Sequence, residues 1–370
     1  VWTALGIALA LVAGVVGRAP ISAAIPEAGP VTNAAAPPGL LLRQAVEARK
    51  DGDVDRAVAL LKQVSDRAPV IADYADLLRL RWLLAAGRIH EALALHHSWG
   101  HTESPLQSEF FQLLGDAYAA RGDEVAARSA WEFARLETDS PQRHATLHLA
   151  SAASYERSGA LATAAESYLR IWTTYPLSPE DPQASARLDV IEKRLSAPLR
   201  DGLAYRKRGD ALFRQHRNEA ALAAYDRALA SGELSAPEQR RAQRQRAHAL
   251  FRLRRYSEAA KAYARLPQDL DNRIAAARSL ARSGQVEEGA RALEQIAERG
   301  RGGQAVRAQL LAALLFDGEN EGDQARRLYE GILKRSPNSS YAAAALWRLG
   351  WEAYRAQRFD EAIERLGALQ

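Results

Sequence analysis

Seven arginines crowd residues 239–256: Arg240, Arg241, Arg244, Arg246, Arg252, Arg254 and Arg255. Guanidinium is a planar, permanently charged fork that matches a carboxylate with two parallel hydrogen bonds. On a helix Arg240 and Arg244 share a side. Arg240, Arg241, Arg244, Arg252 and Arg255 then form a face for an anionic ligand. The competing reading is a solvated helix surface, since charge runs commonly coat repeated helices.

Histidines offer a second chemistry. His90, His96, His97 and His101 lie close together near Glu91 and Glu103, and His144 and His148 are four apart. Zinc needs three or four ligands in tetrahedral geometry. No His-Glu-x-x-His pattern occurs and the carboxylates follow no ligand spacing, so no metal or other cofactor is expected. The pairs Glu287–Glu288 and Asp360–Glu361 fall at helix starts, where they stabilise the helix dipole rather than act as acid and base. With no cysteine there is no disulfide framework, thiolate metal site or cysteine nucleophile. Phosphate-loop, Gly-x-Ser-x-Gly and dinucleotide signatures are lacking too, so no catalytic or cofactor-binding residue is assigned.

The elements that would position these residues are helical. At 370 residues, with 47% hydrophobic and 26% charged, the chain is neither disordered nor a multi-span membrane protein. It is too long for one compact core, which leaves several domains or an elongated array. Fifty Lys and Arg against forty-five Asp and Glu give +5, spread too evenly to expect nucleic acid as a partner. Residues 2–17 carry no charge, and Ser22-Ala23-Ala24 follows Arg18. Residues 1–24 therefore read as a signal peptide or N-terminal anchor whose basic start is missing. That implies export to the periplasm, with membrane contact only through this segment. Pro26, Pro30, Pro37 and Pro38 make residues 25–39 a linker.

After the linker a pattern recurs. Ala57, Ala92, Ala127, Ala164, Ala221, Ala259, Gly289, Ala325 and Ala362 follow one another at 30 to 38 residues, with one gap of 57 before Ala221. Five residues before the small residue stands Gly52, Gly87, Gly122, Gly159 or Gly284, and once Asn320. There a first helix must end, and Gly or Asn takes the left-handed cap conformation cheaply. Four residues after it comes Leu61, Trp131, Tyr168, Tyr225, Tyr263, Leu293, Tyr329 or Leu366, with His96 the poor fit. Pro69, Pro176 and Pro337 stop the second helix. In the last repeat Leu346, Leu349, Gly350 and Ala353 form one stripe and Trp347, Trp351 and Tyr354 another, which predicts a helix packed on two sides. The expected fold is all-α, a right-handed superhelical solenoid of about nine hairpins resembling tetratricopeptide repeats. Residues 40–176 hold the first repeats, 177–204 an inserted helix with Pro-rich flanks, and 205–370 the later repeats.

A narrower resemblance rests on three stretches. They are residues 336–354 with Arg358-Phe-Asp-Glu-Ala362, the break Tyr175-Pro-Leu-Ser-Pro179, and Arg208-Gly-Asp-Ala-Leu-Phe213 entering Glu219-Ala-Ala-Leu222. Together they resemble the superhelical N-terminal region of the soluble lytic murein transglycosylases. That resemblance implies a periplasmic, non-catalytic scaffold beside a goose-lysozyme-like domain that cleaves peptidoglycan with a Glu followed by Ser. Ser108-Glu109-Phe110 is the nearest scrap, and it falls in a repeat helix. The catalytic domain is then expected beyond Gln370, with the chain open at both ends. The alternative is a free-standing periplasmic adaptor that binds proteins without enzymatic activity. Peptidoglycan, or a protein or peptide in the groove, is the expected partner.

Overall fold

A computed structural model describes residues 36–100 and 103–369. The expected leader, residues 1–24, and all of the linker but its last residues lie outside the described range. Among the described residues every element is helical and no strand occurs. Nine hairpins follow one another. They pair α1 (Pro38–Lys50) with α2 (Val54–Arg67), α3 (Ala72–Ala85) with α4 (Ile89–Ser98), and α5 (Gln107–Ala120) with α6 (Glu124–Leu136). The fourth joins α7 (Pro141–Arg157) to α8 (Leu161–Thr174). After the inserted α9 (Asp181–Leu195) come α10 (Gly202–Arg214) with α11 (Asn218–Ala230), and α12 (Ala236–Arg252) with α13 (Tyr256–Ala264). Then follow α14 (Leu270–Arg282) with α15 (Val286–Arg299), α16 (Gly302–Gly318) with α17 (Gly322–Arg335), and α18 (Ser340–Arg355) with α19 (Phe359–Gly367). The chain divides into two compact units, one ending at Ala75 and one beginning at Asp76. Pro38 opens α1 rather than ending the linker, because proline at a first helical position forfeits only an N–H that has no partner there.

The hairpin turns are one device used nine times among the described residues. The residue five before the small position always has positive φ: Gly52, Gly87, Gly122, Gly159, His216, Arg254, Gly284, Asn320 and Gln357. The next N–H then closes a six-to-one bond onto the first helix, as from Asp53 to Ala48 O (2.9 Å), Asp123 to Tyr118 O (2.9 Å) and Gln285 to Leu280 O (3.1 Å). Helices α2, α6, α7, α10, α14 and α18 start on a side-chain cap, for example Asp123 Oδ1 accepting from Ala126 N and Ser339 Oγ from Ala342 N. His216, Arg254 and Gln357 are exposed yet left-handed, which costs an L-residue about 1 kcal/mol. Replacing each by glycine should therefore raise stability by up to about 1 kcal/mol. Thermal unfolding checks this; a lowered midpoint for all three would reject the shared-turn account.

Within a hairpin the small residue lets the helices close. Ala57, Ala92, Ala127, Ala164, Ala221 and Ala259 are wholly buried. The bulky residue one turn later drops onto a small one of the first helix. Trp131 covers Gly115, and a Cβ at Gly209 would lie 2.6 Å from the Tyr225 ring, at Gly350 2.7 Å from Leu366. His96, the poor fit, is half-buried and bonds Tyr118 Oη instead. Apolar side chains from adjoining hairpins merge into continuous clusters, one of them running from Ile274 to Leu349.

The expectation of two covered stripes on α18 is not met. Leu349, Gly350 and Ala353 are buried, but Trp347, Trp351 and Tyr354 are about half exposed. The reason is positional: among the described residues no helix follows α19.

Candidate functional site: an arginine-lined cavity between successive first helices

The first helices of hairpins six to eight, α12, α14 and α16, bound a cavity of about 400 Å³ with Phe213 of α10 and Tyr263 of α13. Helical spacing delivers the lining. Arg244, His248, Phe251 and Arg252 stand at i, i+4, i+7 and i+8 on α12, and Asp271, Ala275 and Arg278 at i, i+4 and i+7 on α14. Arg307 reaches in from α16. The wall is aromatic: His248 lies 6.4 Å from Phe213 and 5.7 Å from Tyr263, ring centre to ring centre.

The cations differ in what already holds them. Arg252 Cζ sits 3.8 Å above the Phe213 ring, and its Nη1 donates to Phe213 O at 3.1 Å. Arg244 Nη2 donates to Asp269 Oδ2 at 3.1 Å. Among the described residues Arg278 has no carboxylate partner; its guanidinium lies 5.4 Å from the Phe251 ring. Among the described residues Arg307 hydrogen-bonds the amide oxygen of Gln304, at 3.5 Å, and no carboxylate. Burial, then Arg307 and Arg282 beside it, lowers the proton affinity of Arg278. Burial, then Arg244 and Arg252, likewise lowers that of His248. These shifts mark a crowded positive site, with Asp271 as the one acid in its lining. An arriving anion would relieve that crowding.

Two of the five arginines singled out by sequence, Arg244 and Arg252, line this cavity. The others do not. Arg241 pairs with Asp210 at 3.0 Å, Arg255 with Glu258 at 2.7 Å, and Arg240 is exposed and lines no described cavity. Arg278 and Arg307 were missed because they lie on other hairpins. Aligning the repeats finds Arg278, which stands eleven residues before Gly289 as His248 stands eleven before Ala259.

Of the histidines near Glu91 and Glu103, His101 lies outside the described residues, and His90 and His97 are exposed. His144 joins Tyr175 Oη (3.1 Å) to Thr138 O (2.7 Å). Burial, then Arg170 and Arg135, pushes His148 down to about 4. Among the described residues no group of three or more His, Asp or Glu could hold a metal ion. Glu109 pairs with Arg81 and Arg143, and Ser108 Oγ donates to Ala134 O, so both have structural partners.

Comparison with known proteins agrees with the repeat reading. A tetratricopeptide repeat family model matches residues 206–272, 274–340 and 310–369. No curated protein matches the sequence. Among solved structures, a tetratricopeptide repeat protein from Parabacteroides merdae is 14% identical, with 83% of this chain and 96% of that one covered at a TM-score of 0.30. The TPR2AB domain of yeast Sti1, in complex with pHSP90, is 17% identical over 81% of this chain and 98% of that one, TM-score 0.29. PilF of Pseudomonas aeruginosa is 18% identical over 68% and 97%, TM-score 0.31. Likeness at that level says nothing of ligand. The residues lining the arginine-lined cavity all fall within the stretches that the tetratricopeptide repeat model matches.

Proposed function

We infer that this chain is a protein-interaction scaffold that receives an anionic segment of a partner in the cavity between α12, α14 and α16. The observation that carries the reading is the pairing of Arg278 and Arg307 in one cavity, neither with a carboxylate partner among the described residues. A carboxylate placed there gains charge-assisted bonds without breaking an existing ion pair. The aromatic wall favours an apolar side chain beside the acid. No chemistry is assigned to the cavity, since nothing in it combines a nucleophile with a base.

A labelled Glu/Phe peptide and its Gln/Phe counterpart, titrated by fluorescence anisotropy, test the reading. The acidic peptide should bind about tenfold or more tightly, and salt should weaken it. Equal affinity for the two would reject it.

A second reading places the same cavity in a lytic transglycosylase, taking the carboxylates of peptidoglycan stem peptides. Its support is the sequence resemblance of residues 336–362 and the two others described above, together with the leader-like residues 1–24 that suit a periplasmic protein. Salt-sensitive binding to isolated sacculi, lost with Arg278 and Arg307, would favour it. Binding of the peptide but not of sacculi would favour the adaptor.

A further inference from the structure

The helices α12, α14 and α16 each give the arginine-lined cavity one polar side chain that the fold leaves unengaged. From α12 it is His248, whose ring nitrogens have no hydrogen-bond partner among the described residues. From α14 it is Arg278, and from α16 Arg307, whose contact with Gln304 stands at the outer limit of a hydrogen bond. Donors arriving from three helices suit an acceptor with three oxygens. A carboxylate offers two, in one plane, whereas a phosphoryl group offers three.

The charge of the lining points the same way. Arg244, Arg252, Arg278 and Arg307 face Asp271 as the one carboxylate among them. Asp269 lies outside the lining and offsets Arg244. Two positive charges are then left over, and Arg282 adds to the field on Arg278. Tyr263, from α13, contributes an uncharged phenol whose pKa burial raises. His248 adds no charge at neutral pH, because burial, then Arg244 and Arg252, holds its pKa below the ordinary value. A carboxylate would cancel half of the excess. A phosphomonoester, which carries about −1.5 to −2 at neutral pH, would cancel most or all of it.

We propose that the partner segment received by this cavity is phosphorylated, and that His248, Arg278 and Arg307 hold its phosphoryl group. The proposal rests on reading the cavity as the seat of an anionic segment, and narrows that anion to a phosphomonoester. Each of the three helices then donates to the same group, which ties successive hairpins together around it. The cavity, about 400 Å³, is larger than a phosphoryl group needs, so its aromatic wall is left for the neighbouring side chain of the segment.

Fluorescence anisotropy of the 370-residue chain with three labelled peptides of one sequence, phosphoserine/Phe, Glu/Phe and Gln/Phe, tests this. The phosphoserine peptide should bind about tenfold or more tightly than the Glu peptide. That ratio should shrink as pH falls from about 7.5 to about 5, because the phosphoryl group passes its second pKa of about 6 and becomes a monoanion like the carboxylate. His248→Phe keeps a ring but loses the third donor, and should cut the phosphoserine preference severalfold. Unlabelled inorganic phosphate should compete far less well than unlabelled phosphoserine peptide. Equal binding of the phosphoserine and Glu peptides, both above Gln, would overturn the proposal and leave the acidic-segment reading standing. No preference for either over Gln would overturn both. A phosphoserine preference that pH leaves unchanged would overturn the match to a dianion, and inorganic phosphate competing as well as the peptide would make this a site for the free ion instead.

Discussion

Trp131→Ala is expected to cost about 3–5 kcal/mol, the usual range for removing a fully packed tryptophan. Trp131 is 3% exposed and fills the notch above Gly115, and its indole N–H donates to Asp116 Oδ1 at 3.0 Å. The variant leaves a cavity at the centre of the third hairpin and takes the donor from a carboxylate that the surrounding protein partly desolvates. Burial raises the Asp116 pKa and the Trp131 hydrogen bond offsets part of that rise, so its removal raises it further. The sign follows: a carboxylate whose folded pKa lies above the unfolded value destabilises the fold at neutral pH and ceases to do so on acidification. The deficit of Trp131→Ala relative to the parent should therefore shrink as pH falls through the acid range. Chemical denaturation at neutral and mildly acidic pH measures both effects. A deficit under 1 kcal/mol would contradict the packing described for this hairpin.

Arg206→Met should cost a similar amount, about 3–5 kcal/mol, because it strands a buried acid. Arg206 is 5% exposed on α10; its Nη1 lies 2.5 Å from Asp210 Oδ2 and its Nε 2.6 Å from Glu238 Oε2. Asp210 also accepts from Tyr225 Oη at 2.9 Å, the side chain that packs over Gly209. Losing Arg206 leaves Arg241, itself more than half exposed, as the remaining cation for Asp210. Arg206→Met combined with Asp210→Asn should recover part of the loss, since no buried charge is then left without its partner. A double variant as unstable as the single would show that the arginine acts through packing alone.

The hairpins are legible in the sequence because their turns and contacts recur at fixed offsets. Gly52, Gly87, Gly122, Gly159 and Gly284 name five turns outright. His216, Arg254 and Gln357 hide three more, since the six-to-one hydrogen bond holds the left-handed residue whatever its side chain. The site was half legible. A run of arginines in one helix is visible at once, but only stacking decides that Arg244 and Arg252 turn inward while Arg241 and Arg255 find acids of their own. Arg278 and Arg307, about thirty residues apart in successive hairpins, meet only through the repeat register. The stripe of Trp347, Trp351 and Tyr354 shows the converse limit. Periodicity marks a side chain as apolar and aligned, and does not say which helix covers it.

The most direct test compares two pairs of arginines against the labelled Glu/Phe peptide. The Arg278→Gln, Arg307→Gln variant should bind about tenfold to a hundredfold more weakly than the parent, each lost charge-assisted bond being worth about 1.5–3 kcal/mol before solvent exposure reduces it. The Arg241→Gln, Arg255→Gln variant removes the same formal charge from side chains already paired with Asp210 and Glu258, and should bind within about twofold of the parent. Equal losses in the two variants would mean that net charge, and not the cavity, attracts the peptide, and would contradict the site.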